Sequence, residues 1–338
     1  MSSTIVTGLM AYGMSGRIFH APFIHTHPGF KLKAVVERSK KKAAETYPDI
    51  ISYDAVEDLL NDEEIELIIV NTPNNTHLEY ALRAMEAGKH VLLEKPAAAT
   101  VADVKLLFDT ARRLNKHVML YQNRRYDSGF LATKQVIESG RLGNVFEVIF
   151  RMDRYKAVIG PKSFKESKEM PANGIVYDLG AHLVDNAIAL FGKPLSFTKT
   201  TGIYREGSEV PDYFNFHLIY PNQLNVYLTS GLLIAGDYPG FVVNGTLGSF
   251  VKNRTDVQEA QLDKGMMPDD AEYGIEPAGN EGVLTLVDID NQKHTELVPS
   301  LKGDYNQIFE AVYHTIRNNA LYPITEEQIA WQLELLEA

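Results

Sequence analysis

The chain contains no cysteine, which excludes disulfides, thiolate nucleophiles and cysteine-based metal sites. It also lacks long apolar runs. None approaches the roughly 20 residues of a membrane-spanning helix. The moderately apolar stretch 5–14 has no Lys or Arg before it and runs into a glycine-containing turn, unlike a secretion signal. A soluble, cytoplasmic protein is therefore expected. Positive charge is in deficit: 33 Lys and Arg against 44 Asp and Glu give a formal charge of -11. Such a balance repels phosphates, so nucleic acid and anionic membrane surfaces are not expected partners. What remains is ordinary for a soluble protein, with 45% apolar and 23% charged residues. A length of 338 residues exceeds what one core usually organises, and two domains are expected.

The first third alternates short apolar runs with helical patterns, the signature of a parallel sheet covered by helices. Residues 4–10, 31–37, 66–70, 90–93 and 118–121 read as strands. Helices are expected over 15–24, from near Ser39, over 76–87 with Gly88 as the stop, and over 100–115 with Thr100 as the cap. After residue 123 the pattern changes: helix 130–139, a long alternating strand 145–152, a polar loop, and helix 174–190. Residues 197–250 read as successive strands without helices between them, and helices close the chain over 304–318 and from 325. The fold class is α/β: a doubly wound dinucleotide-binding domain over 1–122, then an α+β domain over 123–338 built on a large, mostly antiparallel open sheet. An alternating sheet with an unmatched outer face calls for a partner, so a homodimer or homotetramer through that sheet is expected.

Met10-Ala11-Tyr12-Gly13-Met14-Ser15-Gly16 lies between a strand and a helix, where a dinucleotide fold places its phosphate-binding turn. There the helix start offers free N–H groups and the positive end of its dipole. Gly13 lets the main chain approach the phosphates, and Gly16 lets the helix pack on the sheet. Ala11 stands where the fingerprint usually has its first glycine, at a cost of about 1 kcal/mol if that position requires positive φ. Glu37 ends the second strand at the distance where a carboxylate grips the adenosine ribose, which favours NAD. Arg38, Ser39, Lys40, Lys41 and Lys42 follow at once and suit the extra phosphate of NADP. The reading leans to NAD and leaves both open.

Two further stretches carry chemistry. Glu94-Lys95-Pro96 leaves a strand at the carboxyl edge of the parallel sheet, where such folds bind ligands. Tyr177-Asp178-Leu179-Gly180-Ala181-His182 opens a helix, and Asp178, His182 and Asp185 share one of its faces by their i, i+4, i+7 spacing. With residues 11–16, 17–22 (RIFHAP), 71–77 (NTPNNTH) and 123–127 (NRRYD), these motifs resemble the Gfo/Idh/MocA oxidoreductases over essentially the whole chain. The resemblance is closest to the branch containing scyllo-inositol dehydrogenases.

The resemblance implies hydride transfer between NAD or NADP and a carbinol carbon of a cyclic polyol or sugar. In that picture His182 takes the hydroxyl proton, Asp178 orients the imidazole or balances Lys95, and Lys95 holds the reacting oxygen. A cis bond before Pro96 would help aim the lysine. Cofactor contacts are expected from residues 11–16, Glu37, Arg38, Thr72, Pro73, Asn74, His77, Glu94 and Lys95. Substrate contacts are expected from Asn123, Arg124, Tyr155, Tyr177, Asp178 and His182. His20, His25 and His27 lack accompanying carboxylates and read as surface or packing residues; no metal is expected. A catalytically silent dinucleotide-binding sensor is the alternative reading, and a recycled cofactor serving a net non-redox reaction is a third.

Overall fold

The structure, a computed structural model, describes residues 4–160, 166–255 and 257–338. The polar loop expected after residue 152 includes residues 161–165, outside the described set. The chain divides into two compact units, neither of them one continuous stretch. The first runs to Asn123 and also takes in Gln258–Tyr273 and Tyr305–Ala330; the second comprises Arg124–Val257, Gly274–Asp304 and Trp331–Ala338.

The first unit is built on a six-stranded sheet of β1 (Ile5–Leu9), β2 (Phe30–Val36), β3 (Ile51–Tyr53), β4 (Leu67–Val70), β5 (His90–Glu94) and β6 (Val118–Tyr121). Their order is β3-β2-β1-β4-β5-β6, every pairing parallel. Leu67, Ile68, Ile69 and Val70 are all fully buried, as expected of a strand covered on both faces. The order reverses between β1 and β4, which is where a doubly wound sheet opens its ligand crevice.

Several expectations change in detail. The helix expected over 15–24 is a π-helical turn, Gly16–His20, followed by a helix at Ala21–Thr26. Pro22 has no N–H to offer the preceding turn, so one regular helix cannot run through it. The helix expected near Ser39 begins at Ala43 and spans only Ala43–Thr46. The Glu37 carboxylate accepts from the N–H groups of Lys42 and Ala43 and so sets that start. Strand β3 and the helices Val56–Asn61 and Val257–Asp263 are additions to the sequence reading.

The second unit carries an eight-stranded sheet of β7 (Val145–Arg151), β8 (Ser196–Gly202), β9 (Tyr213–Ile219), β10 (Asn225–Gly231), β11 (Phe241–Gly245), β12 (Gly248–Lys252), β13 (Gly282–Val287) and β14 (Lys293–Val298). Its order is β14-β13-β12-β11-β7-β10-β9-β8. Only β7 and β10 pair in parallel. The last two strands lie beyond the expected 197–250 run. One face packs its Val148, Phe150, Phe216 and Leu228 against the helices Ser128–Glu138 and Ala181–Phe191. On the other face Tyr227, Ile149, Val242, Val251, Val283 and Leu297 are successive register partners. They form one apolar row across six strands, half-buried to exposed along its length. No helix among the described residues is long and apolar enough to cross a membrane.

Candidate active site

The turn after β1 is held by a pair of hydrogen bonds to one side chain. Ala11 N donates to Asn71 Oδ1 at 3.0 Å, and Asn71 Nδ2 donates back to the Ala11 carbonyl at 2.8 Å. Asn71 follows directly on β4, so the reciprocal pair ties together the two strand ends that flank the crevice. Ala11 is not among the residues with positive φ, so the alanine adds no backbone strain at that position. The two glycines of the turn do different things. A Cβ on Gly16 would sit 2.2 Å from the Ala11 carbonyl oxygen, so packing demands glycine there. A Cβ on Gly13 would meet nothing within 4 Å. The protein leaves the space over Gly13 open, as a cradle for a bound phosphate group does.

That open space belongs to a cavity of about 590 Å³ in the first unit. Ala11, Tyr12 and Gly13 line one part of it, and Thr72 and Pro73 another. Glu37, Arg38, Ser39, Lys40 and Lys42 line a third part. Glu37 is 7% exposed and already occupied: it accepts from Lys42 N (2.8 Å), Ala43 N (3.2 Å) and Ser52 Oγ (2.7 Å). Other charges at the rim are neutralised locally, Asp54 by Lys41 and Glu57 by Arg83. Arg38, Lys40 and Lys42 form no ion pair among the described residues. The mouth of the cavity therefore presents free cations, although the chain as a whole is acidic.

The remaining residues expected near a cofactor do structural work around this cavity. Met14 is 55% exposed. Ser15 turns its hydroxyl to Glu94 Oε1 at 2.7 Å. Asn74 opens a short 3-10 turn, Asn74–Thr76, that leads into the helix His77–Glu86. His77 is buried between two carbonyls, Pro96 O at 2.7 Å from Nδ1 and Thr72 O at 2.9 Å from Nε2. It straps the loop after β4 to the loop after β5. Burial holds its pKa below the ordinary imidazole value, against the upward pull of both carbonyls and of Glu94.

Lys95 follows β5 at the carboxyl edge of the sheet, and the Lys95–Pro96 bond is cis. Glu94 anchors it from behind. The Glu94 carboxylate accepts from Ser15 Oγ, from His20 Nε2 at 3.0 Å and from Lys95 N at 3.2 Å. Burial would raise its pKa, but the bond and charge of His20, the Ser15 hydroxyl and the Lys95 charge together bring it down to about 2. His20 is the residue that the sequence reading passed over as a packing histidine. Its only sequence signal was its place within the RIFHAP stretch.

In the second unit, Tyr177 and Asp178 lie in a π-helical turn, Val176–Gly180, that runs straight into the helix Ala181–Phe191. Single π turns inside helices recur at functional sites. Asp178 is exposed and His182 is 7% exposed. Burial, with Glu337 next in effect, raises the pKa of Tyr177. Asp185, one turn beyond His182, is buried in a bidentate pair with Arg125, at 2.8 and 2.7 Å. That pairing clamps the helix bearing His182 to the 3-10 turn Asn123–Tyr126. Arg124 is buried and lies 3.5 Å from Asp127, while Asn123 is buried at the end of the first unit. Tyr155 is 63% exposed and bridges to Leu233. No cluster of three or more His, Asp or Glu suited to a metal occurs among the described residues.

Known proteins resemble this chain along most of its length. Residues 5–122 match the Gfo/Idh/MocA oxidoreductase family description "NAD-binding Rossmann fold", and residues 130–251 match its C-terminal domain. The uncharacterized oxidoreductase C115.03 of Schizosaccharomyces pombe is 37% identical, with 99% of this chain and 96% of that one covered. The scyllo-inositol 2-dehydrogenase (NADP(+)) IolW of Bacillus subtilis is 32% identical over 99% of this chain and 92% of its own length. Among solved structures, the oxidoreductase yvaA of Bacillus subtilis superposes with a TM-score of 0.95 at 32% identity, covering 100% of this chain and 95% of that one.

Proposed function

The chain belongs to the Gfo/Idh/MocA oxidoreductase family, and on that premise we propose that it is an NADP-preferring dehydrogenase acting on a ring carbinol of an inositol-like polyol. The observation that carries the reading is the placement of Lys95, fixed by Glu94 at the carboxyl edge of the sheet beside the cavity-forming strands. A bound dinucleotide supplies the hydride acceptor at its nicotinamide. The chain's own groups do the rest. Lys95 donates to the substrate oxygen and stabilises negative charge on it as the C–H bond breaks. His182 removes the hydroxyl proton, and Asp178, one turn earlier, orients the imidazole. Tyr177, Asn123, Arg124 and Tyr155 are proposed to contact the polyol hydroxyls. The similarity to IolW, named for scyllo-inositol, supports the substrate class.

The lean toward NAD drawn from Glu37 gives way to NADP for an electrostatic reason. The Glu37 carboxylate is engaged by three donors, whereas Arg38, Lys40 and Lys42 reach the cavity without ion-pair partners. A 2′-phosphate would meet those cations. The sensor reading loses its main support, since Ala11 carries no backbone strain. The test is absorbance at the reduced-nicotinamide band with a panel of inositols and aldoses and each cofactor in turn. We expect a rate with an inositol and NADP that vanishes in His182→Ala, and a preference for NADP that narrows at least tenfold in Arg38→Ala. Cofactor binding without turnover on any polyol would overturn the dehydrogenase reading.

We also propose self-association through the apolar row of the second unit's sheet. Glu147 and Arg151 lie on opposite sides of that row on the central strand β7. A two-fold axis along the row lays it on its own copy and sets each glutamate over the partner's arginine, a self-complementary arrangement. Val242→Glu, in the middle of the row, is expected to convert the assembly to single chains by light scattering. An unchanged mass would remove this face from consideration.

A further inference from the structure

Lys95 has a buried support that the reaction as described does not use. His20 is 0% exposed. Its ring lies 4.5 Å from that of Tyr121 and 6.3 Å from that of Phe309. Nε2 faces Glu94 Oε1, while Nδ1 is buried without a hydrogen-bond partner. A carboxylate oxygen only accepts, so Nε2 carries the hydrogen.

Ser15 fills the other approach to the same oxygen, and the second oxygen of Glu94 takes the N–H of Lys95. The groups facing Glu94 are therefore His20, Ser15 and Lys95, with His77 adding its influence from the strap to Pro96. Three chain segments converge: the turn after β1, the π turn and the end of β5. We propose that Glu94, held by the Nε2–H of His20 and by the hydroxyl of Ser15, is the positioning residue that aims Lys95 at the reacting oxygen. The inference rests on the reading of Lys95 given above. In this role Glu94 and His20 act through the lysine's main chain and its surrounding charge.

The experiment compares Glu94→Gln, His20→Phe and His20→Gln in the full chain, using NADP and the best polyol of the panel. Phe keeps the ring and loses the donor, whereas Gln keeps a donor without the ring. Misplacement of a catalytic group by an ångström costs on the order of 10²-fold in rate. Glu94→Gln and His20→Phe should each lower kcat by roughly that factor, His20→Phe should leave the NADP dissociation constant within about threefold, and His20→Gln should recover most of the loss. Nitrogen NMR of the wild-type histidines should show His20 protonated at Nε2. Wild-type kcat in His20→Phe would overturn the proposal, as would a His20→Gln variant no better than Phe, or an Nδ1–H tautomer. Lys95→Met separates this from the underlying reading: if it retains turnover, the role of Lys95 fails; if it is inactive while Glu94→Gln is not, only the positioning role fails.

Discussion

Lys95→Met should lose turnover by about 10²–10³-fold, the usual cost of removing one preorganised donor to a developing oxyanion. Methionine keeps the length and flexibility of the side chain but has no N–H to give. The main-chain bond from residue 95 to Glu94 survives the change, so the strand end stays in place. Dinucleotide binding should persist, because the cavity is lined by Ala11, Gly13, Arg38, Thr72 and their neighbours rather than by Lys95. The check is a pair of measurements: kcat by reduced-nicotinamide absorbance and NADPH affinity by fluorescence titration. Near-normal turnover would defeat the role given to Lys95.

A comparably large effect on stability is expected far from that chemistry. Lys252, at the end of β12, has a fully buried side chain. Its Nζ reaches Glu276 Oε2 at 2.8 Å and the Asn280 carbonyl at 2.5 Å, and Glu276 also takes the hydroxyl of Thr255. Removing one partner leaves a buried charge uncompensated, and Lys252→Met should cost about 3–5 kcal/mol. The double variant Lys252→Met/Glu276→Leu removes both charges together and should recover most of that loss. Urea denaturation of the wild type and the two variants reads the difference. Equal losses in the single and double variants would mean that packing, and not charge, sets the cost.

The parallel sheet was legible because its central strands are apolar throughout, as Leu67–Val70 shows. Edge strands carry no such mark. Ile51–Tyr53 is three residues long with Ile51 41% exposed, and Lys293–Val298 is exposed nearly throughout, so neither advertises a buried face. Local capping shifted one helix start: nothing in the spacing around Ser39 shows that Glu37 will spend its carboxylate on Lys42 and Ala43. The lysine, aspartate and histidine of the proposed site stood out through motif and helical spacing. Their supports did not. His20 and Glu94 are 74 positions apart, and a hydrogen bond across that distance in the chain leaves no periodicity to read. The free cations at the cavity mouth were visible as a basic run; which of them lacked partners required coordinates.

Phe23, in the helix after the π turn, stacks on Phe309 at 5.0 Å between ring centroids, and Tyr305 and Phe309 also flank Phe19 and Tyr121. These late aromatic residues belong to the segment Tyr305–Ala330 that returns to the first unit. During synthesis the six strands of the dinucleotide sheet emerge long before the helix Asn306–Asn318 that completes their covering. The nascent sheet is expected to leave Phe23 and its neighbours bare until residue 309 has been translated. A fragment ending at residue 123 would carry every strand of that sheet and still lack part of its core. Chaperone dependence should therefore track the interval between translating β6 and translating Phe309, and a fragment of the first unit should become soluble only when 305–330 is supplied.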